Sequence, residues 1–179
     1  MSQERVRPLA RPVAGRSLPG GRVADRLSLP PARILELLDA AYPADRAESA
    51  RRVRETLARG KHALLITFRA GGGRVATPVW AAVEAERVYV RTQRASGKVA
   101  RVGRRPHVLL GVCSTRGRPL TGVVPATARV LPAGEERHAE RLLHRRYGAV
   151  RAFCATAQDL MRVDMCYLEI TVGDDDPAG

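Results

Sequence analysis

The chain has 179 residues, of which 45% are hydrophobic, and its formal net charge is +13. This length suits one domain of ordinary size with an appended segment, and two full domains are not expected. No stretch approaches the roughly 20 apolar residues that a membrane-spanning helix needs, and the N-terminus lacks a signal-type apolar run, so we expect a soluble, cytoplasmic protein with no membrane partner.

Arginine supplies nearly all of the positive charge. Of the 31 basic residues, only Lys61 and Lys98 are lysines. Aromatic residues make up 4% of the chain, which leaves little material for stacking nucleic-acid bases, and the sequence contains no Cys–His finger or RNP-like strand. A nucleic-acid partner is therefore not expected, and the charge suits a small polyanionic ligand held in a positive groove.

The cysteines and histidines indicate neither a disulfide framework nor a metal site. Cys113, Cys154 and Cys166 are far apart, odd in number and without CxxC spacing, so we expect reduced, mostly buried thiols. The four histidines lack a metal-ligand spacing with any partner. The few carboxylates of the central region lie in turns, so a paired-carboxylate hydrolase is not supported either.

The N-terminal part differs in composition from the rest of the chain. Residues 1–30 are rich in Arg, Pro and Gly without periodicity, which predicts a disordered or loosely attached arm. Residues 31–60 are predicted to form a helical segment, which includes an amphipathic, arginine-rich helix at 47–57 that Gly60 ends. Of this N-terminal part, only the 47–57 helix is expected to pack. At the other end of the chain, residues 175–179 are predicted to form a short tail.

The central and C-terminal part has the period of β-strands. Alternating or short apolar runs separated by Gly, Pro and charged turns predict six strands, at residues 62–68, 74–83, 87–93, 107–114, 123–131 and 165–172. A short helix is expected between the N-cap Ser96 and Pro106, and a charged helix at 134–147, whereas 149–161 fits helix or loop. Residues 61–174 are thus predicted to form a mainly β barrel with flanking α-helices.

The segment 91–105 is the most informative part of the sequence. It contains six basic residues and no acidic one. A helix that starts beside Ser96 would offer free backbone N–H groups, and Lys98 and Arg101 would project from one side of it. Such a group can hold a phosphate, because each charge-assisted hydrogen bond contributes about 1.5–3 kcal/mol. Charge alone fits a solvated basic turn equally well.

Several motifs in a fixed order carry a family resemblance. They are the ATPVW strand at 76–80, a V-x-T…S-x-K-x-x-R segment at 90–101, an R-x-P at 104–106 and the strand PATARVL at 125–131. Over about residues 50–172 the sequence resembles the pyridoxamine 5′-phosphate oxidase-like (PPOX class) flavin split barrels. It is most similar to their actinobacterial subgroup that depends on the deazaflavin coenzyme F420.

The resemblance implies a six-stranded split β-barrel that forms a homodimer, with two identical cofactor clefts lined by both subunits. By carry-over, the cofactor-binding residues would be Thr77, Pro78, Val79, Trp80, Arg91, Thr92, Ser96, Gly97, Lys98 and Arg101. Val79 also fits plain barrel core, and Trp80 equally fits a core or dimer-interface anchor. Gly97 stands where the oxidases proper carry an arginine, which favours F420 over FMN.

The resemblance further implies an F420H2-dependent oxidoreductase that transfers a hydride to a small unsaturated or oxidised substrate. Because the cofactor would carry the hydride, no catalytic residue is predicted, and a tyrosine such as Tyr89 is only one candidate proton donor beside solvent. The alternatives are an FMN-dependent enzyme similar to the oxidases and a non-catalytic protein that binds F420 or haem. The substrate is not readable, because variable loops form such pockets.

Overall fold

The computed structural model describes residues 29–42, 48–60, 62–160 and 164–173, with the backbone alone between 149 and 160. The predicted arm at residues 1–30, apart from its last two residues, and the tail at 175–179 lie outside the described residues. Among the described residues, no helix combines the length and the apolar character needed to cross a membrane.

Helices and strands follow one another in the predicted order. The helices are α1 (Pro31–Ala41), α2 (Ala50–Arg59), α3 (Gly97–Arg104) and α4 (Glu136–Leu160). The strands are β1 (His62–Phe68), β2 (Arg74–Glu84), β3 (Arg87–Gln93), β4 (His107–Cys113), β5 (Val124–Val130) and β6 (Met165–Thr171). Each strand end lies within one residue of its predicted position.

The strands form a closed, antiparallel barrel in the order β1-β2-β3-β6-β5-β4. Because side chains alternate across a strand, every second residue points inward. One buried aliphatic side chain from each strand illustrates the interior: Leu65, Val79, Val88, Leu110, Val124 and Leu168. Full burial of such a side chain contributes about 1.5–3 kcal/mol, so this interior holds the barrel together. The predicted mainly β, six-stranded fold is confirmed.

Helix α1 packs on the outside of the barrel, so the expectation that only the 47–57 helix would pack is wrong. Ile34 and Leu38, one turn apart on α1, are 0% and 1% exposed. They contact Leu64 and Ile66, the outward-facing residues of β1. The physical reason is that β1 is apolar on both faces, and an apolar outer face must be covered.

Helix α2 has the predicted amphipathic character and contributes Val53 and Leu57 to the barrel core. It begins at Ala50, and residues 43–47 before it lie outside the described part of the chain. Gly60 forms its C-cap as predicted, and the backbone N–H of Gly60 donates to the carbonyl of Thr56 over 2.8 Å.

Helix α4 is longer than the predicted 134–147 helix, because the segment 149–161 is helical as far as Leu160. The two parts meet at Gly148, whose φ of 50° and ψ of −130° interrupt the helical backbone. A positive φ of this kind is strained for residues with a side chain, so glycine is the residue that allows the break.

Candidate functional site

The barrel ladder has a gap where β2 and β3 part. Their pairing runs only from Glu84↔Arg87 to Ala81↔Val90. Beyond this point β2 continues to pair with β1, and β3 continues to pair with β6 as far as Gln93. Residues 77–80 of β2 and 91–93 of β3 therefore border a gap in the sheet, and these two edges contain six of the predicted cofactor residues.

A buried threonine on the β3 side of the gap gathers two predicted site residues. Thr92 is 6% exposed and lies two residues after the inward-facing Val90, so it points to the same inner face. The ammonium of Lys98 donates to Thr92 Oγ1 over 3.0 Å, and Ser96 Oγ lies 3.4 Å from the same oxygen. These contacts join the start of α3 to β3. They hold the charge of Lys98 at the end of the barrel where β3 ends and α3 begins, which is called the barrel end below.

Arg101 makes a similar hydrogen bond to a threonine of β1. Its Nε donates to the hydroxyl of Thr67, which is 1% exposed, over 2.7 Å. Burial lowers the pKa of Arg101 below its ordinary value, and the positive charges of Arg69 and Arg104 lower it further. Among the described residues, no salt bridge supplies a carboxylate to these three arginines. Within the described part of the chain, the guanidinium groups of Arg69, Arg101 and Arg104 therefore concentrate positive charge without a carboxylate partner.

The first turn of α3 lies directly under this charge. Ser96 is the N-cap as predicted, but its side chain makes no capping hydrogen bond, and its carbonyl accepts from Val99 and Ala100. A Cβ atom on Gly97 would lie 2.9 Å from Nη1 of Arg101. The guanidinium therefore covers the helix start, and the missing side chain of Gly97 provides the room for it.

Two other arginines of the 91–105 segment have structural partners. Arg94 forms salt bridges of 3.1 Å to Asp164 and 3.3 Å to Glu136. The guanidinium of Arg105 stacks over the ring of Phe68 at 4.8 Å. These contacts join α3 and β3 to their neighbours, so the segment's capacity for an anion resides in its other cations.

The four predicted residues of β2 fall on two faces. Val79 is buried in the barrel core, and Thr77, two residues before it, points to the same inner face. Trp80 faces outward, where it stacks on Tyr147 with ring centroids 4.9 Å apart. Pro78 also faces outward: a Cβ on Gly117 would lie 2.9 Å from its Cγ. Trp80 therefore anchors α4 to the barrel.

Arg91 lies on the outer face of β3, opposite Tyr167 in the β3–β6 ladder and on the same side as Tyr89. The ten predicted residues thus divide between two faces. Those at the inner face and the adjoining helix start are Thr77, Val79, Thr92, Ser96, Gly97, Lys98 and Arg101. The outer face carries the other three predicted residues, Pro78, Trp80 and Arg91, which border the gap between β2 and β3 on that side.

Tyr147 has a role at the gap that no sequence signal indicated. The last pair of the β1–β2 ladder is His62↔Trp80, so Ala81 lies one residue beyond it. The hydroxyl of Tyr147 accepts from the N–H of Ala81 and donates to its carbonyl, both over 2.9 Å. Tyr147 therefore satisfies the N–H and the carbonyl of Ala81, which have no partner in the pairing with β1.

The structure bears on the predicted absence of a disulfide and of a metal site. Cys113 and Cys166 are free and buried, and burial raises the pKa of the Cys113 thiol to about 12. The side chain of Cys154 lies outside the described residues. Within the described part of the chain, no group of three or more His, Cys, Asp and Glu side chains could hold a metal ion.

A cavity of about 340 Å³ lies on the outer face of the barrel and contains none of the ten predicted cofactor residues. Its walls come from β3, β6, the 131–135 loop and the first turns of α4. Tyr89, the candidate proton donor, lines this cavity. No local sequence pattern predicts the cavity itself, because its wall residues lie in four separate segments.

Comparisons with known proteins show similarity of structure alone. No protein-family model matches the chain, and no curated protein sequence matches it significantly. A haem storage protein of Vibrio cholerae has a TM-score of 0.51 and 14% identity, with 69% of this chain and 87% of that chain covered. An FAD-binding protein of Mesorhizobium loti has a TM-score of 0.50 and 16% identity, with 71% and 90% covered.

A conserved hypothetical protein of Mycobacterium tuberculosis has a TM-score of 0.50 and 19% identity, with 72% of this chain and 83% of that chain covered. All three similarities cover more than two thirds of this chain. At these identities the similarities concern the fold alone. In fold, the chain is a six-stranded split β-barrel with flanking helices.

Proposed function

We propose that this chain binds coenzyme F420 at the gap between β2 and β3 and acts as an F420H2-dependent oxidoreductase on a small unsaturated or oxidised substrate. The observation that carries the proposal is the positive charge at the barrel end. Arg101 lies there close enough to feel the positive charges of Arg69 and Arg104, and none of the three forms a salt bridge among the described residues. A bound phosphate would neutralise this charge and would be gripped by it.

The residues present fit a phosphorylated deazaflavin. The first turn of α3 and the side chains of Lys98 and Arg101 would hold the phosphate, because they combine backbone N–H groups with two cations. Thr77 and Val79 would lie along the ring system, on the inner face of β2. When bound, the cofactor would supply the hydride, and the chain's own residues would bind it, orient it and exclude water.

The amount of positive charge favours F420 over FMN. F420 carries a phosphodiester and a glutamate tail, whereas FMN carries a single phosphate. Besides Lys98 and Arg101, the barrel end offers Arg69 and Arg104, both on the surface. These additional cations suit the more highly charged cofactor.

Structural neighbours support two alternatives. One of these neighbouring structures is an FAD-binding protein and another is a haem storage protein, and both are similar to this chain in fold at low identity. An FMN-dependent enzyme, or a protein that binds F420 or haem without turnover, therefore remains the rival proposal. In each case a second copy of the chain is proposed to complete the cleft, because the resemblance implies clefts lined by two subunits.

A cofactor titration tests the proposal. F420 and FMN are titrated into the purified protein and binding is followed by fluorescence. We expect F420 to bind preferentially and Lys98→Gln to weaken it at least tenfold, because the variant loses the charge and keeps a hydrogen-bond donor. Arg118→Gln, which removes an exposed arginine of the turn after β4, serves as the charge-matched control and should bind normally.

The outcomes separate the alternatives. Tight binding of FMN with weak binding of F420 would favour the FMN-dependent enzyme. Equal weakening in Lys98→Gln and Arg118→Gln would show that net charge alone drives binding, which contradicts the assigned phosphate position. If F420 binds as expected but no acceptor reoxidises F420H2 on the protein, the non-catalytic alternative holds.

A further inference from the structure

The cavity on the outer face of the barrel has a strongly basic rim. Arg137 and Arg141 lie four residues apart on α4, so both side chains are on one face of the helix, and both line the cavity. Both are exposed, and neither takes part in a salt bridge among the described residues. Arg87 on β3 contributes a third guanidinium to the same cavity.

The carboxylates of the cavity are already matched by cations. Glu169 accepts from Arg129 Nε over 2.8 Å, and Glu135 accepts from Arg129 Nη2 over 2.6 Å. Arg87 also lies 3.4 Å from Glu169. Since Arg129 and Arg87 offset these two negative charges, the charges of Arg137 and Arg141 remain as an excess facing the cavity.

The floor of the cavity is less polar than its rim. Tyr89 and Leu131, each 3% exposed, belong to the cluster that α4 buries against the barrel. His138 packs edge-on against Tyr89 with ring centroids 5.5 Å apart, and its Nε2 lies 2.5 Å from Glu84 Oε2. The cavity therefore combines an aromatic and aliphatic base with guanidinium groups above it.

We infer that this cavity is a second binding site, separate from the candidate cofactor site, for a small organic anion. Its volume of about 340 Å³ is at the lower end of the range of small-molecule pockets, roughly 300–1,000 Å³. Paired guanidinium groups recognise the planar or tetrahedral oxygens of carboxylates and phosphates. The ligand is thus an aryl or alkyl compound with one phosphate or two carboxylate groups, its apolar part against Tyr89 and Leu131.

The test uses phenyl phosphate and phthalate as probes of the two anion types, with phenol as the neutral control, in calorimetric titrations of the full chain. We expect at least one anionic probe to bind and phenol not to bind. The double variant Arg137→Gln/Arg141→Gln should weaken the binding at least tenfold. The matched control, Arg116→Gln/Arg118→Gln, makes the same change in net charge at a turn outside the cavity lining and should bind as the native chain does.

A phosphate probe could also occupy the candidate cofactor site, so Lys98→Gln is titrated in parallel. Binding that is lost in Lys98→Gln and retained in the α4 double variant would overturn the inference, as would equal losses in the two double variants. The absence of binding by either anionic probe at millimolar concentration would overturn it too. Circular dichroism melting of each variant shows that a loss of binding is not a loss of fold.

Discussion

Glu169 shows how single residues around the cavity are balanced. Its carboxylate is 6% exposed, and burial on its own would raise its pKa. Hydrogen bonds and charge from Arg129, together with Tyr89 and Arg87, outweigh burial and hold the pKa of Glu169 below its ordinary value. A buried carboxylate of this kind stays ionised because its partners stabilise the charged form.

The lowered pKa makes the contribution of Glu169 to stability depend on pH. The contribution is present above the unfolded pKa of 4.5 and is lost as the pH falls through the lower folded value. We expect Glu169→Gln to reduce the free energy of unfolding at pH 7 by about 1–3 kcal/mol, because partners of a buried charge are left unmatched. Below pH 4.5 the difference from the native chain should shrink.

Chemical unfolding at several pH values measures this difference. Glu135→Gln removes the exposed partner of the same arginine and should cost at most about 1 kcal/mol at pH 7. A difference in the free energy of unfolding between the native chain and Glu169→Gln that grows at acid pH would contradict the lowered pKa of Glu169.

At the scale of elements, much of the barrel was predictable and much of the site was not. Strand ends were predictable to within one residue because the period-2 pattern and the Gly, Pro and charged turns are local signals. Lys98 lies beside Thr92 because only a short turn separates β3 from α3, so this contact is also local in the sequence. Which outer face an element covers is not local: the stacking of Trp80 on Tyr147 joins residues that are 67 positions apart in the sequence.

Tyr147 offers an element-scale test of how α4 is joined to β2. Its hydroxyl is buried and makes two hydrogen bonds with the backbone of Ala81. Tyr147→Phe leaves those buried backbone groups unsatisfied, so we expect a loss of about 1–3 kcal/mol in the free energy of unfolding, measured in urea. Tyr42→Phe is the control, since the hydroxyl of Tyr42 has no described hydrogen bond; equal effects would count against the role of Tyr147.

For the molecule as a whole, the structure makes α1 part of the barrel domain. Leu29 donates its N–H to the carbonyl of Arg116 over 2.8 Å, and Arg74 of β2 pairs with Asp39 of α1 through two hydrogen bonds. The apolar seam of Ile34 and Leu38 adds the larger share of the energy, because each is buried almost completely. Among the described residues, α1 and the barrel therefore form one packed unit.

Two truncations test how much the packing of α1 stabilises the barrel. A chain that starts at residue 29 retains every described contact of α1, so its melting temperature should stay close to that of the full chain. A chain that starts at residue 48 exposes the outer face of β1, including Leu64 and Ile66, and should lose several kcal/mol in the free energy of unfolding, since burying large aliphatic side chains is worth about 1.5–3 kcal/mol each. Differential scanning calorimetry compares the three chains. Equal melting of both truncated chains would mean that α1 rests on the barrel without stabilising it.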